Sequence, residues 1–289
     1  MKASRIILLI AVLFFSLSCK EETANSSNEE IDYNDFSKRS FEVYVPPTYN
    51  ENNPIPLVFA FHGSGGNGAE MRSITAFNDH ANERNFIVCY PYAASVNWNE
   101  GCNCNIASRL GIDDIGFIEY LIDKFSENYN IDTTKIFAAG FSQGGFFTNN
   151  VVCKLSGIFS KAAIVGGAVS RQLSNDCFPS QKTSVLMIQG TNDQAILYNG
   201  VPSGNFSYLS ASENAEFWAN KNGCSSEPLI ESIPDKGDPS ISVRRDTYLD
   251  CDNDVSVVLY TVFNGGHSWY KSPDLNSTET IVNFFFGDE

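Results

Sequence analysis

The chain has 289 residues, 43% of them hydrophobic, with 22 Phe and 12 Tyr, enough apolar material for one large domain or two small ones. Only 18% of residues are charged, and the formal net charge is −15. A surface that acidic repels nucleic acid and anionic membrane faces, and no Lys/Arg cluster offsets it, so a neutral small molecule or polymer fits better as a ligand.

Lys2 and Arg5 precede an apolar run over residues 6–15, followed by Ser16-Leu17-Ser18-Cys19. This predicts an export signal over residues 1–18, too short for a comfortable membrane span. Cys19 directly after Ser18 resembles a bacterial lipobox, with Ser16 where the usual Leu stands. Lipidation of Cys19 is the expectation, and plain secretory cleavage is the alternative. Residues 19–37 turn to Glu, Ser, Asn and Thr, the composition of a solvated tether. Lys20-Glu21-Glu22 resembles a signal that directs some lipoproteins to the outer face of the outer membrane. Residues 38–289 are predicted to form a single domain.

Within that domain, residues 41–47 alternate and stop at proline, as an edge strand does. Residues 57–61 are a continuous apolar run that ends in the loop His62-Gly63-Ser64-Gly65-Gly66. Residues 69–84 read as a helix, 86–90 as a strand, and 92–112 as a loop. Apolar residues at Ile115, Ile118, Ile122 and Phe125 predict a helix over 113–129. Strands are predicted at 135–139, 162–165, 184–188 and 255–263, and further helices at 211–221 and 277–286. Strands alternating with helices imply a mostly parallel central sheet covered on both faces. In such sheets ligands bind at the strand ends, where the loops 92–112, 166–182 and 195–210 fall.

Residues 140–144 read Gly-Phe-Ser-Gln-Gly, with a strand before and a helical stretch after. A serine on so sharp a strand-to-helix turn is a nucleophile elbow, the hallmark of the α/β-hydrolase fold, and makes Ser142 the candidate nucleophile. A serine hydroxyl needs a base. Of the three histidines, His62, His80 and His267, only His267 follows Ser142, just past the last strand. The acid belongs between them after a strand, and Asp193 in Gly190-Thr191-Asn192-Asp193 fits best. Asp113 and Asp114 precede Ser142 and are expected to cap or anchor a loop. The oxyanion formed on attack requires backbone N–H groups. One is expected from Gln143 and the other from the glycine loop, Ser64 first and Gly63 as the alternative. His62 is expected to shape that loop. Trp98 and Trp269 could stack on an aromatic acyl group or a sugar ring, with ordinary core packing the equal alternative.

Beyond Cys19, seven cysteines remain in an exported chain, so disulfides are expected with at least one thiol left unpaired. Cys153–Cys177 and Cys224–Cys251 close loops of ordinary length, and Cys89, inside a strand pattern, suits a free core thiol. Cys102-Asn103-Cys104 lacks the partners of a zinc site. Asp250, Asp252 and Asp254 imitate a calcium loop but lack its glycine, Val255 standing there, and its final glutamate. No metal or other cofactor is expected.

Together these motifs resemble the secreted feruloyl esterases and polyhydroxybutyrate-depolymerase-like esterases over most of residues 40–285. The anchors are the runs 56–63, 95–99 (Ser-Val-Asn-Trp-Asn), 113–118, 129–132, 140–145, 190–193 and 265–269 (Gly-Gly-His-Ser-Trp), in that order. The resemblance implies cofactor-free hydrolysis of carboxylic esters outside the cytoplasm. Feruloyl or acetyl esters of plant polysaccharide are the first expectation and a short-chain polyester such as polyhydroxybutyrate the second. A peptidase, or a noncatalytic glycan-binding lipoprotein that kept the fold, are weaker readings; the intact Ser/Asp/His set argues against the latter. Two positions depart from the family: Gln189 before Gly190, where relatives often have His, and Tyr270 after Trp269, where many have Pro. Neither is expected to touch the triad.

Overall fold

The computed structural model describes residues 32–287. The export signal, Cys19, the Lys20-Glu21-Glu22 signal and most of the tether lie outside the described residues. The chain divides into Met1–Asp32 and Tyr33–Glu289, and every element below belongs to the second unit.

Nine strands form one sheet: β1 (Phe41–Tyr44), β2 (Ile55–Phe61), β3 (Ile87–Pro91), β4 (Ile131–Phe141), β5 (Lys161–Val165), β6 (Ser184–Gly190), β7 (Leu229–Ser232), β8 (Ser242–Tyr248) and β9 (Val257–Phe263). Their spatial order is β1-β3-β2-β4-β5-β6-β9-β8-β7. The six central strands from β3 to β9 run parallel, while β1 at one edge and the β7–β8 hairpin at the other are antiparallel. This is the mostly parallel sheet expected.

Central parallel strands are buried on both faces, which is why they read as unbroken apolar runs. Along β2, Leu57, Phe59 and Phe61 point to one face and Val58 and Ala60 to the other. Helices α1 (Gly68–Thr75), α2 (Phe77–Arg84) and α8 (Ser277–Phe286) cover one face; α4 (Asp114–Asn128), α5 (Gln143–Lys154) and α7 (Ala211–Asn222) cover the other, with short α3 (Ile106–Arg109) and α6 (Arg171–Asp176) in the loops. The helix expected over 69–84 is two, broken at Ala76, whose φ is 50°. Met71, Phe77 and Ala81 bury on one side across the break, so the apolar period does not reveal it.

Asp113 caps α4 by accepting the Gly116 amide. Asp114, fully buried, accepts the Asn99 amide and pairs with Arg39, whose guanidinium lies 3.8 Å over the Phe117 ring. Both aspartates therefore serve as a cap and a loop anchor, as expected. Disulfides join Cys153–Cys177 and Cys224–Cys251, and Cys89 is a buried free thiol. A third bridge, Cys102–Cys104, was not expected.

Candidate active site

The centre of the site is the turn from β4 into α5. Ser142 sits at φ 56° and ψ −123°, a conformation costly for a side chain bearing Cβ and held here by its surroundings. Its amide donates to Val165 O at 2.9 Å, fastening the turn to the end of β5. Gly144 is required because any Cβ there would collide with the Phe61 carbonyl at the end of β2. The serine thus stands at the C-terminal edge of the central strands, where the loops converge.

Two of those loops bring His267 and Asp193 together. They are laced by backbone: the Asn192 amide donates to Gly265 O at 2.9 Å and the Asn264 amide to Thr191 Oγ1 at 2.9 Å. His267 Nδ1 lies 2.7 Å from Asp193 Oδ2. Asp193 Oδ1 accepts the amides of Ala195 and Ile196 at 2.9 and 2.8 Å. Burial pushes the Asp193 carboxyl up, but the His267 hydrogen bond and the two amides outweigh it, and its pKa ends below the ordinary value. A carboxylate there fixes the proton on Nδ1 and leaves Nε2 as the basic nitrogen. The His267 ring stacks on Phe141 with centroids 4.9 Å apart and shares a cleft with Ser142.

Gln189 also reaches this group. Its amide donates to Asp193 Oδ2 at 3.1 Å and to Ile196 O at 2.9 Å, so the expectation that position 189 stands clear of the triad is corrected. Nothing in the strand pattern of β6 marked it; its side chain lies buried at the strand's end. Tyr270 donates its hydroxyl to Gly266 O at 2.6 Å, and the Asp193 charge, after burial, helps raise its pKa.

The glycine loop closes over the serine. A Cβ on Gly63 would lie 3.2 Å from Ser142 Cβ, which measures how near the loop backbone comes. Gly65 N–H donates to Val96 O and Gly66 N–H to Gly63 O, while Asn97 Nδ2 donates to Ser64 Oγ. The described bonds of this loop leave the Ser64 amide uncommitted, and the Gln143 amide, first in α5, has no intrahelical acceptor. His62 accepts the Ala93 amide on Nε2 at 3.1 Å, so its proton sits on Nδ1, which donates to Gly63 O at 2.8 Å. Burial lowers its pKa, keeping it neutral. It is a loop-shaping residue.

The substrate-stacking expectation for Trp98 and Trp269 is corrected. Trp98 is 0% exposed, lies flat on Phe147 at 4.7 Å and donates Nε1–H to His62 O. Trp269 is buried edge-on to Phe77 and donates to Thr278 Oγ1. Neither offers a ring face to a ligand. The side chain that does organise the loop is Gln143, which accepts the Trp98 amide on Oε1 and donates Nε2–H to Trp98 O and to the buried Glu100 carboxyl.

Ser142 opens onto two clefts. One, of about 350 Å³, holds His267 with His62, Glu70 and Ala195. The other, of about 270 Å³, is lined by Glu100, Asn97, Cys104, Phe146, Ile196 and Phe206. Ser64 borders both. Glu100, Cys102 and Cys104 offer ligand atoms within 4.8 Å of one another, but both sulfurs are tied in a disulfide, so this group supplies no thiolate for a metal.

This sheet order, elbow and loop placement define an α/β-hydrolase fold. Among solved structures the chain is similar to an acetyl xylan esterase from Aspergillus awamori (TM-score 0.63, 13% identity, covering 86% of this chain and 94% of that one). It is likewise similar to esterase PE8 (TM-score 0.54, 15% identity, 86% and 99% covered). Residues 36–243 match the family model Esterase, described as "Putative esterase", and the chain belongs to that family. Among curated proteins it is 27% identical over 241 residues to feruloyl esterase B of Piromyces equi, covering 80% of this chain and 42% of that protein. It is 25% identical over 241 residues to feruloyl esterase D of Neurospora crassa, covering 80% and 74%. The chain therefore spans less than half the length of the Piromyces enzyme, and the resemblance to feruloyl esterases read from the motifs is borne out.

Proposed function

We propose that the chain is an exported serine esterase that hydrolyses carboxylic esters, feruloyl or acetyl esters of plant polysaccharide first among them. The single observation that carries this reading is the 2.7 Å His267–Asp193 hydrogen bond in a cleft shared with the strained Ser142. In this reading His267 Nε2 takes the proton of Ser142 Oγ as the oxygen attacks the ester carbonyl. The resulting oxyanion accepts from the Ser64 and Gln143 amides. His267 then passes its proton to the leaving alcohol, and water, activated by the same imidazole, releases the acid from the acyl-enzyme. No cofactor takes part.

The substrate class rests on the relatives' names, feruloyl esterase and acetyl xylan esterase. Export and lipidation at Cys19 rest on the sequence of residues 1–19 alone, with residues 38–289 as the catalytic domain. A lipid anchor on the outer membrane would hold the enzyme at the cell surface, where insoluble polysaccharide is met. The test is release of nitrophenol from short acyl esters by the purified chain. Ser142→Ala should lower kcat by about a thousandfold or more with unchanged folding; a folded wild type that hydrolyses no ester overturns the reading. Methyl ferulate, acetylated xylan and polyhydroxybutyrate in one assay rank the substrates.

A further inference from the structure

The two clefts at Ser142 are not equivalent. His267 must protonate the leaving oxygen, so the alcohol departs over the cleft that contains His267. The acyl group then occupies the other cleft. One wall is apolar, formed by Phe146, Phe206 and Ile196, with Phe146 5.3 Å from Phe206 and backed by Tyr208 at 5.4 Å, while Asn97 and Asn105 also line the cleft. Against that lining stands one acidic group, Glu100, 1% exposed.

Gln143 Nε2 donates to Glu100 Oε2. Cys104 Sγ lies 4.0 Å from Oε1, but it carries no proton because it is bonded to Cys102. Oε1 thus has no hydrogen-bond partner among the described residues, and it lies on the side of Cys104, which lines the same cleft. A buried polar atom left unpaired costs about 1–3 kcal/mol, so one kept beside a binding cleft points to a ligand.

Resting on the esterase reading above, we propose that Glu100 is the specificity residue of the acyl cleft and reads a hydroxyl on an aromatic acyl group. The aromatic wall holds the ring, and Glu100 Oε1 takes the hydroxyl. Burial, against the opposing Gln143 hydrogen bond, raises the Glu100 pKa to about 8, and no charged side chain enters that balance. With Oε2 accepting from Gln143, the proton of the neutral acid sits on Oε1, which donates to the ligand oxygen.

The experiment measures kcat/KM of the purified full chain on methyl 4-hydroxycinnamate, methyl cinnamate and methyl 3-hydroxybutyrate. Wild type should favour the hydroxylated ring by roughly tenfold or more over cinnamate, the scale of one buried hydrogen bond. Glu100→Leu should bring that ratio to about one, while Glu100→Gln, whose amide also donates and accepts, should keep most of it. Both aromatic esters are turned over by the same folded fraction, so partial unfolding cancels in the ratio. An unchanged ratio in Glu100→Leu overturns the proposal, as does a preference for the hydroxybutyrate ester over both aromatic ones. If wild type cleaves no ester at all, it is the esterase reading that falls; if it cleaves esters without the hydroxyl preference, only the role of Glu100 does.

Discussion

Asp193 holds its place through four donors: His267 and Gln189 on one oxygen, and the Ala195 and Ile196 amides on the other. The two amides come from the residues just beyond it and follow from the turn. Gln189 is different, because its side chain reaches back from the end of β6 and fixes the carboxylate's rotation. Removing that donor as Gln189→Leu should free Oδ2 to turn and weaken the orientation of His267. A hydrogen bond to a charged group is worth about 1.5–3 kcal/mol, so kcat on a nitrophenyl ester should fall about tenfold with little change in KM. Steady-state kinetics check this, and Gln189→His, whose ring N–H can also donate to Oδ2, should restore most of the rate. A Gln189→Leu enzyme at full kcat would show that the amides and His267 suffice.

The elements differ in how plainly the sequence shows them. β2, β4, β5 and β6 are legible because buried parallel strands need apolar residues on both faces. The elbow is legible because its geometry admits few residues, and the candidate base because one histidine alone lies downstream. The β7–β8 hairpin is not, since Arg244, Arg245 and Asp246 interrupt β8 and an edge strand requires no apolar run. The tryptophans were ambiguous for a simple reason: an aromatic beside a site motif looks the same whether it faces the ligand or props the loop. Glu100 leaves no pattern because it joins a loop to the start of α5 through Gln143, and the Cys102–Cys104 bridge leaves none because it closes within one loop. That loop has its own foundation. Asp114 at the start of α4 ties the Asn99 amide to Arg39 in a pair with side chains 0% and 5% exposed. Asp114→Asn leaves the guanidinium buried without its counter-charge, which typically costs about 3–5 kcal/mol. Urea unfolding should register a loss of that size. Lys in place of Arg39 should not rescue wild-type stability fully, because it loses the flat contact with Phe117.

For the whole molecule, pH acts through buried carboxyls that pull in opposite directions, Asp193 one way and Glu100 and Asp114 the other. Asp193 is lowered, so its contribution is present above the unfolded value and is lost as pH falls through the folded one. Glu100 is raised to about 8, so the folded protein keeps a proton that the unfolded chain releases above the ordinary value of 4.5. Its contribution is full at low pH and is lost progressively as pH rises from 4.5 to 8, at about 1.4 kcal/mol per unit and on the order of a few kcal/mol in all. The general repulsion of a chain with net charge −15 also grows with pH, and a wild-type profile alone would mix the two. Glu100→Gln separates them, since it keeps the shape and the contact with Gln143 but cannot ionise. Urea midpoints measured for both proteins from pH 5 to pH 9 should diverge, with the variant gaining on wild type through the neutral range and the gap levelling just above pH 8. Parallel profiles would mean that Glu100 ionises in the folded protein as it does in the unfolded chain. In that case the acyl cleft would carry a carboxylate at neutral pH, able to accept a hydrogen bond from a substrate hydroxyl but not to donate one.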